Sequence, residues 1–211
     1  MPEIEPSALG FATVLLTVAA LPFLAIGVTA FAKIAVVLLI VRNALGIQQT
    51  PPNVVIYGVA IVLTAFVAGP LIEDLRAIAE GADLGSAAGV AAAGEAAVEP
   101  VRGFLERYAS AEDRAFFEEA RLELGGAPAA DGSLTVLVPA FLVSELTRAF
   151  EIGFILYLPF LAVDLIVSAV LVSLGMMMVS PTVVAIPVKL LVFVAVDGWE
   201  RLVQGLVMSY A

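Results

Sequence analysis

Lys33, Asp164, Lys189 and Asp197 interrupt long apolar stretches, and they carry the most chemistry to explain in this sequence. A charge near the middle of a bilayer costs at least about 2.5–3.5 kcal/mol on insertion scales, so such groups normally face protein or water. Three uses are open to them: pairing inside the chain, contact with a neighbouring subunit, or lining a water-filled path. Glu145, Arg148 and Glu151 follow at i, i+3 and i+6, which on a helix makes one stripe of alternating sign. That stripe is either a solvated ladder or an inter-subunit contact. Asp197 and Arg201, four apart, offer one further pair. Other chemistry is closed off, because the sequence has no cysteine and no histidine. Thiol nucleophiles, thiolate metal sites and imidazole acid–base catalysis go with them. A carboxylate-dependent membrane protease needs a second acid at membrane depth, and Asp164 has only the distant Asp197 to serve. A small-solute or ion transporter could centre on Asp164 and Lys189, but such folds carry a repeat between halves, and none is found here. The expectation is not an enzyme, with no cofactor and no metal.

Met176, Met177 and Met178 are consecutive, and the only other methionines are Met1 and Met208. Successive helical residues point about 100° apart, so the three do not make one core face. Lying between Gly175 and Ser180–Pro181, they fit a helix end or a turn. Thioether side chains are unbranched and adapt to irregular gaps. They are either hydrophobic filler or, in a ring of identical subunits, a soft apolar collar around an axis. The link 42–53 reads RNALGIQQTPPN, with Gln48 and Gln49 beside Pro51, Pro52 and Asn53. The two prolines predict an extended turn that opens the next apolar stretch.

The elements that must position these residues are unusually apolar. Of 211 residues, 62% are hydrophobic and 14% charged, with a mean hydropathy of +1.07. A soluble domain is nearer half apolar and a quarter charged, so the composition points to an all-α integral membrane-type protein. Residues 6–32, 43–72 and 165–188 carry no charge at all, and about 20 helical residues span the hydrocarbon core. Four long hydrophobic helical segments are expected near 8–41, 54–72, 152–174 and 182–207. They form two hairpin-like pairs, within 1–72 and 141–211. Between them, 73–140 holds thirteen acids against five bases, most of a net charge of −10. Its Ala/Gly-rich part, 81–100, reads as a mobile linker. From 101 to 124, apolar residues recur at helical intervals among pairs such as Arg102–Glu106 and Glu118–Arg121. A small water-exposed helical insert is expected. The acidic balance excludes nucleic acid as a partner. The start, MPEIEPSALG, lacks the basic region of a signal peptide. Lys33, Arg42 and Lys189 place the links 42–53 and 175–187 in the cytoplasm, with the insert and both termini outside.

Three stretches carry a family resemblance. FAKIAVVLLIVRNALGIQQTPPNVVIYGVAIVLT at 31–64, SELTRAFEIGFILYLPFLAVDLIVSAVLVSLGMMMVSP at 144–181 and IPVKLLVFVAVDGWERLVQGLVMSY at 186–210 resemble, in order, the signatures of one family. It is the type III secretion export-apparatus family called FliP, YscR or SctR. The insert shows little of the resemblance. What it implies is a homo-oligomer of several copies, pentamer-like, joined by SctS/FliQ-type and SctT/FliR-type subunits. Such a complex sits in the bacterial inner membrane, projects to the periplasmic side, and passes unfolded secreted proteins. SctU/FlhB-type and SctV/FlhA-type export-gate proteins are implied as further partners. In that family the hydrophobic segments are largely lifted out of the bilayer against other subunits, a setting in which Lys33, Asp164 and Lys189 are less awkward. The resemblance also maps a deformable pore gasket onto Met176, Met177 and Met178. Gln48, Gln49, Pro51, Pro52 and Asn53 are signature positions to which it assigns no chemistry. Energy is supplied by a separate ATPase and the proton-motive force. The lack of a signal peptide, Glu151 and Ser180–Pro181 favour the injectisome branch over the flagellar one.

Overall fold

A computed structural model describes residues 26–47, 49–83, 85–130 and 132–211. Among the described residues there is no strand; beyond a helical turn at 26–28, eight helices follow one another. α1 runs Phe31–Ala44, α2 Asn53–Val67, α3 Gly69–Gly81 and α4 Ala87–Tyr108. α5 runs Ala111–Glu123, α6 Leu134–Ser173, α7 Pro181–Ala195 and α8 Gly198–Met208.

α1 is the centre of the fold. Ala32, Ile34, Ala35, Val37, Leu38, Val41 and Ala44 are all buried, as expected of a helix that is apolar all round. α6 packs along it as its main neighbour, with α2 on another side. The crossing is close at Gly153 of α6, where an added Cβ would lie 2.5 Å from Ile40 Cδ1 and 3.2 Å from its Cβ. A second, smaller core joins α4 and α6 through Leu105, Ala109, Leu137, Ala140 and Phe141. It docks the insert onto the N-terminal half of α6.

The boundaries depart from the sequence-based expectation in four places. α6 is continuous over 40 residues, about 60 Å at 1.5 Å per residue. The segment expected at 152–174 is therefore only its C-terminal part. The charges at 145, 148 and 151 do not end the helix, because Val136, Leu137, Ala140, Phe141, Ser144, Glu145 and Ala149 make one continuous buried face. The segment at 54–72 is broken at Ala68 and bent by 70°. Pro70, which lacks an N–H, sits in the first turn of the new helix. The segment at 182–207 bends by 63° at Asp197, whose φ is 54°. There Gly198 lets the Phe193 ring approach so closely that a Cβ would lie 2.3 Å from it. Residues 87–100, expected as mobile linker, are helical in α4 and pass through Pro100. Alanine is the best helix former, and Ser86 caps the start by accepting the Gly89 N–H at 3.1 Å. Ser110 caps α5 in the same way, through the Asp113 N–H at 3.0 Å.

Four membrane-length helices are thus not what the described residues show. One helix, α6, is long and apolar enough to cross a membrane, or up to three segments if each bent pair counts as one. The first expected segment, 8–41, lies partly outside the described residues. The outer faces of α2, α6 and α7 remain bare: Val62, Phe66, Phe154, Ile155, Leu165 and Leu191 are exposed. Patches of that extent mark membrane or protein contact.

The crossing gives a stability prediction. Gly153→Leu should destabilise the purified protein by about 1–3 kcal/mol through overpacking against Ile40, read as a lower thermal midpoint. Gly103→Ala, in open space on exposed α4, should leave the midpoint unchanged or raise it. Equal midpoints for Gly153→Leu and wild type would show that the helices do not cross at this residue.

Candidate functional site

Lys33 and Glu145 face each other across the α1–α6 contact with side chains 0% exposed. Lys33 Nζ stands 3.4 Å from both carboxylate oxygens and 3.4 Å above the centroid of the Tyr210 ring. The Tyr210 hydroxyl donates to Glu145 Oε2. Burial first, and the Glu145 carboxylate second, push the Tyr210 phenol far above its ordinary range, so it stays protonated and remains a donor. Tyr108, at the end of α4, donates to the Tyr210 carbonyl at 2.7 Å. Arg148 Nη1 donates to the Tyr108 carbonyl at 2.7 Å and reaches Glu145 Oε1 at 3.2 Å. One buried network therefore ties α1, α6, the insert and the C-terminus. Beside it, Ser144 donates to Asp113 of α5 and accepts from the Ser110 N–H at 2.9 Å.

A second pair holds α7. Lys189 Nζ donates to Asp164 Oδ2 at 2.6 Å and to the Ala44 carbonyl at 3.0 Å. That carbonyl is one of the unpaired acceptors at the C-terminus of α1, where a cation is favoured. Lys189 is buried and Asp164 half-buried.

The remaining candidates are dispersed. Glu145 and Arg148 pair, but Glu151 turns outward and is exposed. Asp197 and Arg201 are exposed and make no ion pair among the described residues. Met176, Met177 and Met178 lie together in the connection from α6 to α7, 44%, 83% and 101% exposed. Gly175, with φ +72°, closes α6 in a Schellman motif, the Gly175 N–H reaching the Val172 carbonyl and the Met176 N–H the Leu171 carbonyl. A side chain at that backbone angle is strained, so glycine fixes where the methionines leave the helix. In the signature turn, Arg42 Nη1 donates to Asn53 Oδ1 at 2.5 Å and to the Pro51 carbonyl at 3.3 Å. Gln49 and Pro52 are exposed beside it, while Gln48 lies outside the described residues. No group of acids that could hold a metal occurs among the described residues.

Sequence reasoning missed the roles of Tyr108 and Tyr210, and read Arg42 only as a topology signal and not as the brace of the 42–53 turn. The tyrosines carry a readable signal, since a phenol in an apolar setting usually finds a partner for its hydroxyl, but nothing in the spacing pairs residues 102 positions apart.

The buried pair makes a double-mutant prediction. Lys33→Met should cost about 3 kcal/mol, the low end for a broken buried pair, because Glu145 loses its buried cation but keeps Arg148 and the Tyr210 hydroxyl. Lys33→Met with Glu145→Gln should recover most of that loss in the unfolding midpoint. Strictly additive losses would mean the two side chains do not interact.

The sequence model of the FliP family matches residues 14–206. Probable translocation protein y4yL of Sinorhizobium fredii is 44% identical over 216 aligned positions, covering 100% of this chain and 97% of that one. Yop proteins translocation protein R of Yersinia pestis is 43% identical, with 97% of each chain covered. Surface presentation of antigens protein SpaP of Salmonella typhimurium is 39% identical, over 90% of this chain and 91% of its own. The match spans the insert as well as the three signature stretches. The chain belongs to the FliP family of type III secretion export-apparatus proteins.

Proposed function

We propose that this chain is the pore-forming structural subunit of a type III export gate in the bacterial inner membrane. Several copies, pentamer-like, join SctS/FliQ-type and SctT/FliR-type subunits to make a conduit for unfolded secreted proteins, with SctU/FlhB-type and SctV/FlhA-type proteins as further contacts. Met176, Met177 and Met178 form the gasket that closes it. The observation that carries the reading is their exposure at the tip of the α6–α7 connection. Three adjacent apolar side chains held outward by a short ordered turn need a partner surface, and copies around an axis supply one. Thioethers fill such a closure and reshape around a passing chain.

The bare faces of α2, α6 and α7 support assembly, since they leave more apolar surface uncovered than a lone subunit keeps in water. In the assembled gate, the charges left accessible, Asp164, Asp197 and Glu151, lie at or near subunit contacts, while Lys33, Glu145 and Lys189 stay paired inside the chain, and the complex projects to the periplasmic side. The subunit carries out no catalysis; energy comes from a separate ATPase and the proton-motive force. The relatives named as translocation proteins and the features at Glu151 and Ser180–Pro181 support the injectisome branch. A solute site at Asp164 and Lys189 has little support, because the ammonium is already held by the carboxylate and the Ala44 carbonyl.

Replacing Met176, Met177 and Met178 together by glycine tests this directly. The complex should still assemble, and its resting conductance to small ions in planar bilayers should rise well above wild type. An unchanged conductance in an intact complex would remove the gasket from the proposal.

A further inference from the structure

Arg42 is a cation without a counter-charge. It is only 9% exposed, yet among the described residues it forms no ion pair. Nη1 is committed to the Asn53 and Pro51 oxygens, both neutral, and Nε is buried with no hydrogen-bond partner. Buried guanidinium groups are normally matched by an anion, because desolvation is otherwise uncompensated. Arg42 lines a polar cavity of about 470 Å³ together with Gln49, Pro52 and Asn53. No carboxylate is among those residues. The same cavity meets the N-terminus of α2, which no side chain caps and whose free N–H groups and dipole favour an anion.

An apolar groove lies close to this cavity along α2. It measures about 340 Å³ and is lined by Val55, Val59, Trp199 and other apolar side chains. Pro52, Val55 and Val59 are spaced i, i+3 and i+7, so the polar cavity and the groove share one face of α2. Pro51 links the two, lining the groove while its carbonyl accepts from Arg42. A cationic cavity one helical turn from an apolar groove has the polarity of an amphiphile with an anionic head. A free phosphate would leave the groove unused, and a peptide would cover it only with an apolar side chain set one helical turn from its carboxylate.

We propose that Arg42, Gln49, Asn53 and the N-terminus of α2 bind the phosphate of an anionic phospholipid, whose acyl chain lies along Val55, Val59 and Trp199. The site requires membrane association only, and neither pore formation nor the methionine gasket. The lipid phosphate supplies the missing counter-charge and fixes the 42–53 turn at the headgroup level, where anionic lipids attract basic groups.

The test is native mass spectrometry of the full chain in non-ionic detergent with dioleoylphosphatidylglycerol. Dioleoylglycerol, with the same tails and no phosphate, and inorganic phosphate as competitor separate the possible sources of binding. One phosphatidylglycerol should be retained per chain. Arg42→Gln should weaken retention roughly tenfold, the effect of one charge-assisted contact. Because Arg42 also braces the turn, the deciding variant is Gln49→Glu, which places a carboxylate in the cavity from an exposed position. It should weaken retention to a similar degree with an unchanged circular dichroism spectrum. Undiminished retention by Gln49→Glu, equal retention of dioleoylglycerol, or displacement by inorganic phosphate overturns the proposal. Neither oligomeric state nor conductance enters the readout, so failure here is distinct from failure of the pore reading.

Discussion

A lysine and a glutamate with no exposed surface, Lys33 and Glu145, fix how the central helix meets the longest one. Such a pair is not a large source of stability, since the desolvation of two ions offsets most of their attraction. Its effect is on register. Apolar helices slide past one another at small cost, but a slip of α1 by one turn leaves Lys33 and Glu145 buried and apart, an arrangement penalised by several kcal/mol. Tyr210 adds a hydroxyl on the carboxylate and a ring face under the ammonium, and Tyr108 hands the constraint on to the insert. Lys189 repeats the device at the other end of α1, on the Ala44 carbonyl and Asp164.

With register set, the rest of the chain can leave its apolar surface uncovered. The N-terminal half of α6 is covered by α1 and the insert, whereas beyond Gly153 only Phe160 and Leu171 remain buried on it. The same helix therefore serves as core at one end and as contact surface at the other. Its far end delivers the methionines through the Gly175 turn. A subunit built in this way is a half-finished interior that copies or partners complete, in keeping with its membership of an export-apparatus family.

Composition and charge spacing made much of this legible. An all-helical chain, the apolar stretches, the methionine turn and the awkward charges are all readable from residue type alone. The helix ends were not. An Ala-rich run that resembles a linker becomes α4 once Ser86 caps it and Leu105 and Ala109 find α6. Gly69–Pro70 and Asp197–Gly198 are turn-forming pairs, but hydropathy averaged over a window hides breaks of one or two residues. The partners of Lys33 and Arg42 depend on tertiary approach, which no local pattern carries. The signature turn gains a chemical role only when Asn53 is seen to hold the Arg42 guanidinium.

The bare faces of α6 and α7, and of α2 beyond Val59, are the surfaces that other subunits must complete. Native mass spectrometry of the chain expressed alone, and then with SctS- and SctT-type partners from the same operon, measures this directly. A multi-copy complex that takes up both partners is the expected result. A stable monomer or dimer indifferent to both would contradict it.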